Sequence, residues 1–148
     1  MDHLIVLTAD WETDSDELTC LRTRVFVDEQ NVPDELERDG RDYECQHVKA
    51  LIDGIIIGTG RLLPNGYIGR MCVLGQYRNQ GVGTKMLKKL IQQAADSGHQ
   101  KVLLNSQLSA IPFYQKFGFS IESELFMEAG IPHQRMVIDR LLENFNLN

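Results

Sequence analysis

The chain has 148 residues, of which 43% are hydrophobic and 24% charged, which gives one globular domain over 1–148 and excludes disordered and fibrous classes. A formal net charge of −6 speaks against bulk nucleic-acid binding. The absence of a long apolar run or a signal-peptide pattern speaks against a membrane partner. Three cysteines without CxxC spacing (Cys20, Cys45, Cys72) suit a cytoplasmic location and give neither a disulfide framework nor a metal site.

In chain order, residues 3–8 (HLIVLT) read as a short strand. Asp14, with Glu17 three positions on, has capping-box spacing for a helix that buries Leu18, Leu21 and Val25. Residues 28–44 are polar and acidic with Pro33 and Gly40, and read as a long loop with one short helical turn. Strands at 45–53 and 55–63 are joined by Asp53-Gly54, a tight-hairpin signal, and a third spans 67–74. A helix to Ser97 carries an apolar stripe of Val82, Met86, Leu87, Leu90 and Ala94. A buried strand at 101–105, a helix at 110–117 and two strands near 119–127 and 133–141, flanking Ala129-Gly130, complete the pattern. The class is α/β (α+β) with a mixed, largely antiparallel sheet.

Charge is unevenly spread. Residues 1–50 hold 14 acids against 5 bases, and the segment 34–44 alone has six acids and two bases. From Arg78 to Lys101 there are five bases and one acid. This reads either as two solvated faces of opposite sign, or as an anionic ligand at the basic end and a cationic one near the acidic end.

The most informative stretch is YRNQGVGTKML, Tyr77 to Leu87, where two glycines stand at the start of a helix. First-turn amides lack intrahelical partners and carry the positive end of the macrodipole, so a phosphate can reach them where no Cβ intervenes. Arg78 and the Thr84 hydroxyl add a charge and a donor. A Rossmann fingerprint would need a third glycine at Met86, and a P-loop a different spacing to Lys85 and Thr84, so both fail.

With its flanks, MCVLGQYRNQGVGTKML resembles the acetyl-CoA-binding motif of the GNAT superfamily of N-acetyltransferases, [RQ]-x-x-G-x-[GA]. Arg78, Gly81 and Gly83 match, and Asn79 stands where glycine is often found. FYQKFGF (Phe113 to Phe119) resembles the superfamily's second signature, and RVFVDEQNVP, ERDGRD, GTGRLL and EAGIPH resemble its small ElaA-like branch. The N-terminal half also resembles the acyl-homoserine-lactone synthases, which are longer and have a less clean loop; that reading ranks second.

The resemblance implies a GNAT-like sheet of six to seven strands, helices on both faces and splayed central strands. Acetyl-CoA would lie between the strands ending near Leu74 and at 101–105. Its pantetheine would follow Met71, Cys72 and Val73, and its diphosphate would rest on Arg78, Asn79, Gln80, Gly81, Val82, Gly83 and Thr84, with Asn105 and Phe113 nearby. Phe26, Glu29, Gln30, Arg70 and Gln107 would wall the acceptor, a primary amine of a small molecule or peptide. Superfamily members are frequently homodimers. Transfer from a longer acyl donor and a non-catalytic acyl-CoA-binding role are the alternative readings of the same residues.

Direct attack of an amine on a thioester poses two proton problems. An alkylamine is neutral about once in 2,500 molecules at pH 7, a deficit of roughly 4.6 kcal/mol, and the thiolate needs an acid. Tyr114 matches the signature tyrosine whose hydroxyl faces the sulfur in the family. Phe113 and Phe117, four apart, already supply an apolar face and leave Tyr114 turned from it. His133 opens the last strand after Ile131-Pro132 and reads either as the base or as a strand residue. Glu29, a carboxylate of the 34–44 loop, a water chain and His47 are the alternatives. Cys72 reads as a small buried residue rather than a nucleophile.

Overall fold

The computed structural model describes residues 3–144. Strand β1 (Leu4–Ala9) precedes helix α1 (Trp11–Arg22), which continues as a π-helical stretch, Thr23–Glu29. The helix begins before the expected Asp14. Asp10 is the N-cap and accepts from the Glu12 amide, while Asp14 reaches back to the Asp10 N–H at 3.0 Å and pairs with Lys49 at 3.0 Å. Two aspartates four apart can each cap a helix, and Lys49, from a strand beyond the loop, engages the second one. Leu18, Leu21 and Val25 form the expected buried stripe.

Within the acidic loop lie α2 (Asp34–Glu37) and a 3-10 turn, Asp42–Glu44. Three antiparallel strands follow: β2 (Gln46–Ile52), β3 (Ile55–Leu62) and β4 (Ile68–Val73). Asp53 and Gly54, both at positive φ, make the predicted turn between the first two. Then come α3 (Val82–Asp96), β5 (Val102–Gln107), α4 (Ile111–Gln115), β6 (Ser120–Ile121), β7 (Phe126–Glu128), β8 (Ile131–Ile138) and α5 (Leu141–Asn144).

The strands form two four-stranded sheets, β1-β2-β3-β4 and β5-β8-β6 with β7 also on β8. The strand expected over 119–127 is split in two. Between its halves the Ser123 hydroxyl takes the Arg135 N–H at 2.8 Å, displacing a ladder bond.

Among the described residues one parallel bridge, Tyr67 to Leu103, links the sheets, and beyond it β4 and β5 diverge. A bulge promotes the divergence. Gly60 of β3 is opposed by both Arg70 and Met71, and Arg70 takes a left-handed φ of 51°. An extra residue of this kind bends a strand and raises its twist. Helix α3 covers the sheet face of Ala50, Gly58 and Gly60, where added Cβ atoms would touch Met86 and Leu90. The opposite face, marked by Lys49, meets α1. The predicted α3 stripe is buried in the common core.

The acidic loop is neither a plain solvated face nor a free cation site. Arg22 pairs with Glu37 and Asp42, Arg61 with Asp39 and Asp42, and Arg70 reaches Asp39 and the carbonyls of Leu36 and Glu37. Three guanidiniums thus neutralise three carboxylates and pin the loop to α1 and the first sheet. The Arg61 hydrogen bond holds the Asp39 carboxyl well below the usual range. Burial works against ionisation of Asp42, and Arg22 and Arg61 outweigh it, so its pKa is also lowered.

Candidate active site

The glycine-rich segment connects β4 to α3. After a 3-10 turn, Gly75–Tyr77, come two left-handed residues, Asn79 (φ 62°) and Gly81 (φ 88°), the latter being the N-cap of α3. Asparagine reaches this region more readily than most residues, which explains its presence where glycine is common. No side chain caps α3, so the amides of Val82, Gly83 and Thr84 lack intrahelical acceptors and face outward with the helix dipole. A Cβ at Gly83 would meet only Phe113 Cζ, at 3.8 Å. Gly81 answers a backbone requirement, whereas Gly83 leaves the amides uncovered. Gln80 closes the loop by donating to Gln76 O at 3.1 Å.

Arg78 is already engaged. Its Nε donates to Val73 O at 2.8 Å, and its two terminal nitrogens clasp Glu29 at 2.6 and 2.9 Å. That hydrogen-bonded pair lowers the Glu29 pKa and raises the Arg78 pKa. Glu29 therefore stands at the α3 end of the gap, outside the cavity described below.

On β4, Leu74 N–H bonds to Ile57 O at 2.9 Å and Cys72 lies opposite Thr59, so their backbone groups face β3. Alternation turns the amides and carbonyls of Met71 and Val73 toward the splayed gap. The Cys72 side chain points into the core, where burial pushes its thiol up to about 12. A thiol so rarely ionised is a poor nucleophile.

The gap opens into a cavity of about 550 Å³ lined by Phe26, Gln30, Arg70, Met71, Asn105, Gln107, Tyr114 and His133, all expected from the sequence, and also by Glu128. Tyr114 stands on the short α4, its ring edge-on to Phe113 (5.1 Å) and Phe119 (5.9 Å). Burial raises the pKa of its phenol. Phe113 lies between Tyr114 and Gly83 in the first turn of α3, with Phe117 5.3 Å away.

His133 is 6% exposed on β8, opposite Gln107 of β5 and Phe126 of β7, whose ring stacks on it at 6.0 Å. Its Nδ1 is 2.7 Å from Ile131 O. A carbonyl only accepts, so Nδ1 carries the proton and Nε2 of the neutral ring holds the lone pair. Nε2 lies 3.5 Å from Glu128 Oε2, and Glu128 Oε1 accepts from Asn105 Nδ2 at 3.1 Å.

The side chains named as alternative bases are engaged elsewhere. Glu29 pairs with Arg78, and the buried loop carboxylates pair with arginines. His47 stacks on Trp11 at 4.6 Å and donates Nε2–H to Asp42 O at 2.9 Å; burial lowers its pKa. Glu128 was not singled out in the sequence, although its signal was present. A tight turn at Ala129-Gly130 pairs Glu128 with Ile131 and Phe126 with His133, which puts all four on one face.

The acetyltransferase (GNAT) domain family matches residues 12–140. The uncharacterized N-acetyltransferase YjcF of Bacillus subtilis is 42% identical over 123 residues, covering 80% of this chain and 88% of YjcF. The crystal structure of Escherichia coli ElaA superposes with a TM-score of 0.81 at 26% identity, covering 90% of this chain and 98% of that one. An acyl-CoA N-acyltransferase from Pseudomonas aeruginosa gives 0.81 at 30% identity, covering 90% and 98%. With its uncapped helix start, splayed strands and cavity, and with these relatives, the chain belongs to the GNAT family of acetyltransferases and is an acyltransferase.

Proposed function

We propose that the protein transfers the acetyl group of acetyl-CoA directly to a primary amine of a small molecule or peptide. The observation that carries this reading is the continuity of three features: an uncapped, glycine-flanked helix start, an open β4 edge, and a cavity shared by Tyr114 and His133. The diphosphate would rest on the amides of residues 79–84, joined by Arg78 once it leaves Glu29. The pantetheine would pair with the Met71 backbone and the Val73 N–H, the Val73 carbonyl being held by Arg78, and would pass Asn105 and Phe113. Phe26, Gln30, Arg70 and Gln107 would enclose the acceptor.

In the reaction the amine nitrogen forms a bond to the thioester carbonyl carbon and the C–S bond breaks. The amine's proton passes to His133 Nε2, and the Tyr114 phenol protonates the departing sulfur. Amides at the open β4 edge stabilise the negative oxygen between these events. The high thiol pKa of Cys72 favours direct attack over an acetyl-cysteine route.

Incubation with acetyl-CoA and a panel of amines, reading free thiol and product mass, tests the proposal. Amine-dependent thiol release with an N-acetyl product is expected. Tight CoA binding without thiol release would leave only a binding module. Faster turnover with hexanoyl-CoA would assign a longer acyl donor.

A further inference from the structure

We infer that Glu128, held by Asn105 beside His133, forms a subsite for the acceptor's ammonium group, so that the acceptor arrives as a monocation with an apolar body. This rests on the proposal that the cavity holds an amine.

The charge inventory of the cavity points there first. Apart from His133 and the phenols of Tyr67 and Tyr114, its other ionisable lining groups, Glu37, Arg61 and Arg70, belong to the cluster in which three guanidiniums balance three carboxylates. Glu128 stands outside that cluster. Among the described residues it is the one carboxylate of the cavity that meets neither a guanidinium nor a lysine; its partners are the Asn105 amide and the His133 ring. The cavity therefore carries one negative charge without a fixed cation, and a cationic ligand lowers the electrostatic energy.

The hydrogen-bond geometry points the same way. Asn105 donates to Oε1, and the Ile131 carbonyl fixes the Nδ1–H of His133. With the ring neutral, Glu128 Oε2 and His133 Nε2 then face each other as two acceptors 3.5 Å apart. A group with several N–H donors beside them satisfies both at once, and a primary ammonium has three. The same group delivers a proton to the nitrogen able to take it. Elsewhere in the lining, Leu36, Leu63 and Ile68 offer apolar surface to the remainder of the molecule.

The Glu128 side chain is 51% exposed, so solvent screens it and the selectivity is modest. Benzylammonium and neutral benzyl alcohol, close in shape, make the test. Ligand-observed NMR titration should show the wild type binding the ammonium about tenfold tighter than the alcohol. Glu128→Gln, which keeps the shape and an acceptor for Asn105, should bind both alike, with the affinity for the alcohol unchanged. Glu128→Asp should retain part of the preference. Equal affinities in the wild type, or an undiminished preference in Glu128→Gln, would overturn the subsite. Thiol release from acetyl-CoA with benzylamine, measured on the same samples, tests the transferase reading separately: no release with the preference intact sinks acetyl transfer and leaves the subsite standing.

Discussion

Replacing Tyr114 by phenylalanine separates chemistry from packing. The ring is held edge-on by Phe113 and Phe119, and phenylalanine keeps both contacts. No hydrogen bond from the hydroxyl to another described residue accompanies them, so its removal strands no buried partner. The expected change in unfolding free energy is therefore within about 1 kcal/mol. Loss of a positioned proton donor should instead lower turnover about 10²-fold, equivalent to roughly 2.7 kcal/mol of barrier. The pH dependence carries a matching sign. Burial raises the phenol pKa, so the protonated acid persists through neutral pH, and the rate should fall only on the alkaline side of the ordinary tyrosine value. That limb should be absent from the variant. Thiol release at saturating acetyl-CoA, calorimetry with CoA and thermal unfolding together make the assay. A variant that keeps its rate per folded molecule and loses several degrees of melting temperature would refute the reasoning and make Tyr114 a packing residue.

Gly83→Val should weaken CoA binding at least tenfold, about 1.4 kcal/mol, by covering the first-turn amides; calorimetry with unchanged affinity would remove the cradle. Position 83 is the cleaner test, since any side chain at Gly81 would also strain a φ of 88°. His133→Ala should lower kcat/KM roughly 10²-fold and abolish its rise with pH; a rise that persists would assign the base elsewhere. Arg22→Ala leaves Glu37, whose side chain is 1% exposed, with only the more distant Arg70 at 3.8 Å and should cost about 3 kcal/mol in urea unfolding. A loss under about 1 kcal/mol would mean that water replaces the guanidinium. Because the folded-state pKa of Asp39 is depressed, its pairing stabilises above the unfolded carboxylate pKa, about 4, and fades as pH falls through the folded value. Asp39→Asn should flatten that acid dependence in unfolding measured from pH 7 downward, and an unchanged acid slope would assign it to other carboxylates.

Much of the fold is legible in local pattern. The stripe of α3 follows a 3.6-residue period, and the Asp53-Gly54 turn demands a backbone that few dipeptides adopt, so neither depends on distant residues. The uncapped start of α3 is legible for the same reason: helix-start amides and the freedom of Gly81 are properties of a few consecutive positions. Tertiary structure decided what local pattern could not. Asp10 and Asp14 are equivalent as caps until Lys49, brought over by β2, pairs with the second. The acids of residues 34–44 look like a solvated run until Arg22, Arg61 and Arg70 arrive from α1, β3 and β4. The role of Arg78 changes once Glu29 folds against it. Glu128 is an ordinary hairpin residue in the sequence and becomes a candidate ligand group only where β5 brings Asn105 beside it. Electrostatic pairing acts over a few ångströms of space whatever the separation along the chain, so the fold, and not the spacing, determines which charges are neutralised and which remain available to a substrate.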